Sequence, residues 1–139
     1  MILYNQILAS KKAKKKLLAI LIDPDKIEIS TIGLVSKKIN QSPATHIFIG
    51  GSTFIGNQLD EIILKLKSNV SIPIILFPGN LIQISDKADA VLFLTLISGR
   101  NPDYLIEHQV NAVPILQKTN LEVISTGYIL IESGTETAV

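Results

Sequence analysis

With 139 residues, 47% apolar and 18% charged, the chain is long enough for one domain, expected to span residues 1–139, and too short for two. A net charge of +1 argues against a general nucleic-acid binder, and the absence of cysteine excludes disulfides and thiolate metal sites. No apolar run reaches the roughly 18 residues of a membrane helix. Residues 1–10 also lack the early positive charge and cleavage pattern of a secretory signal, so the expected setting is the cytoplasm.

The lysine run Lys11-Lys12-Ala13-Lys14-Lys15-Lys16 reads as the solvated end of a helix ahead of the first strand. Attraction to anionic lipids or phosphates is the alternative. Leu17–Ile22 is a short apolar run that stops at Asp23-Pro24-Asp25-Lys26. Ile27–Asn40 then has helical spacing, with Ile32, Val35 and Ile39 on one face and Lys37 and Lys38 turned away. His46–Ile49 is a second apolar run, stopping at Gly50-Gly51-Ser52. Leu59–Leu66 repeats the helical pattern with Leu59, Ile62, Ile63 and Leu66 inward, and Asn57 is a candidate N-cap.

A third run, Ile74–Phe77, leads to Pro78-Gly79-Asn80, and the stretch from Pro78 to Ala88 has room only for a turn or a single helical turn. Ala90–Leu96 follows, then Ser98-Gly99-Arg100-Asn101-Pro102 and a helix predicted over Pro102–Gln117 whose last turn Pro114 should break or kink. Finally, Leu121–Ile124 and Tyr128–Ile131 flank Ser125-Thr126-Gly127, which either bends one long strand or makes a tight hairpin.

The first three apolar runs start about 28 residues apart, the size of a βα unit. Short apolar runs alternating with amphipathic helices mean a parallel sheet buried on both faces, in a barrel or a doubly wound arrangement. Both place function at the carboxyl ends of the strands. The four ends named above are all polar or glycine-rich.

Those ends supply the candidate chemistry. Asp23 follows six apolar residues and precedes a proline that holds it extended. It is either a hard oxygen ligand suited to Mg²⁺ or the cap of the next helix. Asp25 and Lys26 read as cap and surface residues. Gly50-Gly51-Ser52 lets the backbone approach a ligand closely and offers a hydroxyl, although a Gly-Gly pair is also a common turn. Asp23 and Ser52 lie one βα repeat apart and could share one ion. Arg100 is a diphosphate contact or a rim salt bridge. His46 and His108 stand apart from other metal-binding side chains and do not read as zinc ligands. No Ser-His-Asp arrangement, Walker loop or dinucleotide fingerprint is present.

Five segments, in order, resemble the geranylgeranylglyceryl phosphate synthase family, prenyltransferases that include the heptaprenylglyceryl phosphate synthases. They are Leu21-Ile22-Asp23-Pro24-Asp25-Lys26, Ile49-Gly50-Gly51-Ser52, Leu76-Phe77-Pro78-Gly79, Leu96-Ile97-Ser98-Gly99-Arg100-Asn101-Pro102 and Thr126-Gly127-Tyr128-Ile129-Leu130-Ile131. The last two are most similar to the larger, second group of the family.

The resemblance implies a (β/α)₈ TIM-type barrel, of which this chain would hold about the first half, four to five βα units. The implied activity joins sn-glycerol 1-phosphate to a polyprenyl diphosphate, forming an ether lipid precursor. It implies Mg²⁺ held by Asp23 and Ser52, substrate contacts at Gly51, Arg100, Tyr104 and Tyr128, and a homo-oligomer. Tyr104, Leu96 and Tyr128 would line the prenyl groove, with core packing the alternative at each.

Two departures stand out. Leu21 occupies the place where some members carry a phosphate-contacting lysine. The family's glycerol-phosphate site, with a Tyr-Leu-Glu strand and Gly-rich loops, is not found before Val139, so the expected general base lies beyond this chain. The alternative function is therefore a truncated, inactive half-barrel serving as a structural or interaction module.

Overall fold

A computed structural model of the protein describes residues 1–51, 58–80, 83–131 and 134. Helix α1 spans Ile2–Lys12 and strand β1 Ala19–Ile22. A 3₁₀ turn at Ile29–Thr31 leads into α2, Ile32–Asn40, followed by β2, His46–Ile49. Helix α3 covers Leu59–Lys67 and β3 is Ile74–Leu76. Strand β4, Ala90–Leu96, precedes a π-helical turn at Asp103–Glu107, helix α4 at His108–Leu116, and β5 at Glu122–Tyr128.

The five strands form one sheet, every neighbouring pair parallel, in the order β1-β2-β3-β4-β5. A doubly wound sheet reverses its strand order at a switch point; this one does not. Sequential order is that of an arc of a (β/α)₈ barrel, which resolves the choice that the apolar runs left open.

The two faces of the sheet bury different side chains because strand residues alternate. Ile22, Ile47, Ile49, Ile74, Leu76 and Val91 face the helices and pack with Ile32 and Ile39 of α2, Ile62 and Leu66 of α3, and Ala112 and Leu116 of α4. The opposite face carries Ile75, Ala90, Leu92 and Ile124, packed with Phe48, Phe77, Leu94 and Leu3 of α1. The predicted inward faces are borne out: Leu59, Ile62, Ile63 and Leu66 of α3 are buried, as are Ile32 and Ile39 of α2, with Val35 partly buried against the same core. Each such side chain contributes about 1.5–3 kcal/mol of apolar burial.

Helix α1 lies at the amino end of the sheet, held by one carboxylate. Glu122 Oε2 accepts from the backbone N–H groups of Ile2 (2.6 Å) and Leu3 (2.9 Å), and Oε1 accepts from Tyr4 N–H (2.8 Å). Burial raises the Glu122 pKa, but these three amide bonds and the amino terminus outweigh it, leaving it below its ordinary value. At the other end of α1, Lys14 adopts φ 54°, with Lys15 N–H bonded to Ser10 O and Lys14 N–H to Lys11 O. That is a Schellman closure with lysine where glycine is favoured. The lysines of the run are exposed, as a solvated helix end requires.

Three expectations are corrected or refined. Of the two readings of the last segment, one long strand holds: β5 runs from Glu122 through Ser125-Thr126-Gly127 to Tyr128 and pairs with β4 along its whole length, which rules out the hairpin. Helix α2 starts at Ile32, with the residues before it in a 3₁₀ turn. Pro114 does not break α4: the helix runs on to Leu116. So near the carboxyl end the proline forfeits one backbone hydrogen bond, and the burial of Ala112 and Leu116 against the core offsets it. Asn57 lies outside the described residues, and α3 is preceded by Gln58 without a side-chain cap.

Candidate functional site

At the carboxyl end of β1, Asp23 is partly buried. Its Oδ1 accepts from Asp25 N–H at 3.1 Å and its Oδ2 pairs with Lys26 Nζ at 2.8 Å. The Lys26 ammonium holds the carboxyl below the ordinary carboxylate range, against the upward push of burial and with help from the Asp25 amide. Asp23 thus closes its own turn as an ionised oxygen donor and does not cap the next helix: neither the 3₁₀ turn at Ile29–Thr31 nor α2 has a side-chain cap.

The end of β2 is pressed against it. Gly50 N–H bonds to Ile22 O (3.1 Å), and Phe77 N–H to Ile49 O (2.7 Å), so the three strand ends lie flush. A Cβ on Gly50 would stand 1.8 Å from the Phe77 carbonyl oxygen, and one on Gly51 would stand 2.7 Å from Asp23 Oδ1. Both positions demand glycine because of close approach within the protein itself, to the Phe77 carbonyl and the Asp23 carboxylate. Ser52 lies outside the described residues.

Below this corner a cavity of about 280 Å³ opens between the strand ends and α4. Phe48 and Phe77 stack at 6.0 Å, and Tyr128 meets Phe77 edge-on at 5.9 Å. Phe77 and Tyr128 line the cavity together with Leu21, Leu96, Gly51 and Tyr104. Tyr104 and His108 are in edge-on contact at 5.0 Å, so His108 is an aromatic wall residue. Asn101 Oδ1 accepts from Asp103 N–H at 3.0 Å, capping the turn that carries Tyr104, with Pro102 in the favoured first position. Arg100 is exposed, is not among the cavity residues, and makes no ion pair among the described residues.

Of the six residues singled out beforehand, the structure gathers Gly51, Tyr104 and Tyr128 around one cavity, sets Asp23 against Gly51, and leaves Arg100 outside. Two glutamines went unnoticed. Gln83, 1% exposed, bonds to Gly51 N, Gly51 O and Gly79 N. Gln109 donates from Nε2 to Leu94 O and to Tyr104 O (3.1 Å), while its buried Oε1 has no partner among the described residues. A lone amide inside the apolar run Leu81-Ile82-Gln83-Ile84 was the available signal for Gln83. Gln109 left none, since it sits among ordinary helical residues.

Among the described residues no group of three or more His, Cys, Asp or Glu converges on one point. Mg²⁺ does not need one: it is held by one or two protein carboxylates, with substrate phosphates and water completing the octahedron. An ionised, partly exposed Asp23 at a strand end, beside a backbone stripped of side chains, fits that chemistry.

Comparisons with known proteins agree with this arrangement. The description of the PcrB family matches residues 10–139. A geranylgeranylglyceryl phosphate synthase of Flavobacterium johnsoniae is 62% identical over 137 residues, 99% of this chain and 56% of that protein. One from Zunongwangia profunda is 45% identical over 135 residues, 97% of this chain and 57% of the relative. The chain thus spans a little over half the length of these curated relatives.

Among solved structures, the (S)-3-O-geranylgeranylglyceryl phosphate synthase of Thermoplasma acidophilum, in complex with substrate sn-glycerol-1-phosphate, superposes with a TM-score of 0.81 at 29% identity, covering 90% of this chain and 51% of that one. The wild-type GGGPS of Thermoplasma volcanium gives 0.79 at 30% identity, covering 86% and 48%. These neighbours are TIM-barrel enzymes, so the five-stranded arc corresponds to about half a barrel. With the family description matched across nearly all of its length, the chain belongs to the PcrB family.

Proposed function

We propose that the protein is a prenyltransferase that joins the 3-hydroxyl of sn-glycerol 1-phosphate to a polyprenyl diphosphate, with Mg²⁺ as cofactor, acting as a homo-oligomer in the cytoplasm. The 62% identity to the Flavobacterium johnsoniae synthase, over 99% of this chain, carries the reading. The Thermoplasma acidophilum complex supports sn-glycerol 1-phosphate as the acceptor.

Asp23, with Ser52, would hold the ion. When bound, Mg²⁺ supplies charge neutralisation for the departing diphosphate. Asp23 is suited to this because it stays ionised well into the acid range. The walls formed by Phe77, Leu96 and Tyr128 receive an apolar tail and exclude water from the allylic carbon, where it would otherwise compete as the nucleophile. Tyr104, on the capped turn opposite, closes the same cavity.

The test is ether formation by the full-length protein from sn-glycerol 1-phosphate and polyprenyl diphosphates of graded length. Product should require Mg²⁺, and Asp23→Ala should lower the rate by about a hundredfold or more. No ether from any chain length would overturn the activity. Undiminished turnover after chelation, or in Asp23→Ala, would overturn the metal assignment.

A further inference from the structure

Gln83 has no part in the chemistry above, yet it is a polar side chain with only 1% of its surface exposed. Its carboxamide spans two strand ends. Oε1 accepts from Gly51 N–H at 3.2 Å and from Gly79 N–H at 3.1 Å, while Nε2 donates to Gly51 O at 2.7 Å. Answering both the N–H and the C=O of one residue is what a neighbouring strand does in a parallel ladder.

No strand can do so here. The β2–β3 register ends at Ile49↔Leu76, with one further bond from Phe77 N–H to Ile49 O. The groups that would continue the ladder turn to the side chain instead: Gly51 N–H and Gly79 N–H both donate to Gln83 Oε1. Gln83 thus takes the place of the missing peptide, carrying the pairing of β2 beyond the point where β3 turns away.

The side chain that does this is itself anchored. Ser85, buried two residues on, donates its hydroxyl to the Asp60 carboxylate of α3 and accepts from Lys87 N–H. On the other side, Gly51 lies close against the end of β1: a Cβ there would stand 2.7 Å from Asp23 Oδ1. The contacts form one line: α3 to Ser85, Gln83 to Gly51, and Gly51 against Asp23.

We infer that Gln83 is a positioning residue. By clamping both backbone atoms of Gly51, it fixes how the chain leaves β2 toward Ser52 relative to the Asp23 carboxylate, and so sets the affinity of that corner for a divalent ion with diphosphate. The inference rests on the reading of Asp23 given above. A merely structural amide would weaken the fold and every substrate alike. A positioning amide affects the diphosphate side selectively.

The experiment compares Gln83→Met, Gln83→Glu and Asp23→Ala in the full-length protein. Mn²⁺ binding is followed by electron paramagnetic resonance with and without inorganic diphosphate, alongside KM for each substrate. Gln83→Met should weaken Mn²⁺–diphosphate binding by about tenfold and leave KM for sn-glycerol 1-phosphate within about twofold. Gln83→Glu keeps the two acceptor contacts but sets a second carboxylate oxygen against Gly51 O, so it should weaken Mn²⁺–diphosphate binding as well. It carries the test if Gln83→Met does not fold. Unchanged Mn²⁺–diphosphate binding in the folded variants, or equal rises in both KM values, overturns the role of Gln83. If Asp23→Ala leaves that binding unchanged, the reading of the corner itself fails.

Discussion

Gly51 packs so closely on Asp23 that its Cα hydrogen faces the carboxylate, and a Cβ would lie 2.7 Å from Oδ1. The carboxylate is held by Lys26 and by the Asp25 amide, so it has little room to yield. Gly51→Ala should therefore displace the Asp23 carboxylate and, on the proposed role of that residue, lower activity by about tenfold, ~1.4 kcal/mol, with only a small loss of stability. Gly50→Ala is the contrasting case. Its methyl would meet a backbone carbonyl at 1.8 Å, which cannot swing aside. That substitution should cost the fold about 3 kcal/mol or more, and urea denaturation beside a rate assay separates the two.

Glu122 links stability to pH. Its folded pKa lies below its ordinary value of 4.5, so the stabilisation is fully present above the unfolded pKa and is lost as pH falls through the folded one. Glu122→Ala should cost about 1 kcal/mol at pH 7, the value of an amino-terminal cap. The parent and variant denaturation curves, apart at pH 7, should converge in acid once the pH has fallen below the lowered folded pKa. Curves equally far apart at pH 7 and in acid would show that packing, not charge, holds α1.

Lys14 offers a gain. It closes α1 with φ 54°, a conformation that opposes any side chain with a Cβ. Lys14→Gly should stabilise the protein by about 0.5–1 kcal/mol, read as a higher urea midpoint with an unchanged slope. Activity should not move, since the residue sits at the opposite end of the sheet from Asp23.

Gln109 holds the wall of the cavity by donating to the carbonyls of Leu94 and Tyr104. Gln109→Met keeps the volume and removes both side-chain hydrogen bonds, which should cost about 2 kcal/mol. Tyr104 would lose its fixed place on the π-helical turn, so KM for the polyprenyl diphosphate should rise while that for glycerol phosphate stays constant. Thermal denaturation and the two KM values check each half.

The strands were legible before the fold because buried parallel strands leave unbroken apolar runs. His46–Ile49 and Ala90–Leu96 coincide with β2 and β4. The inward face of α3 was legible too, since helical spacing alone puts Leu59, Ile62, Ile63 and Leu66 on one side. Where the pattern was weaker, at Glu122–Tyr128, the polar Ser125-Thr126-Gly127 left strand and hairpin both open, and pairing with β4 decides for the strand. Local preference there is overruled by the neighbour.

By itself, the sequence determined which segments are strands, which helix faces turn inward, and that polar, glycine-rich ends cluster where strands stop; each follows from residues near one another in the chain. Only the tertiary structure decided that the strands lie in sequential order, that Gly51 meets Asp23, and that Gln83 and Glu122 each serve backbone groups 32 and about 120 residues away. Such contacts depend on which strand ends are brought together, and nothing in a local pattern records that.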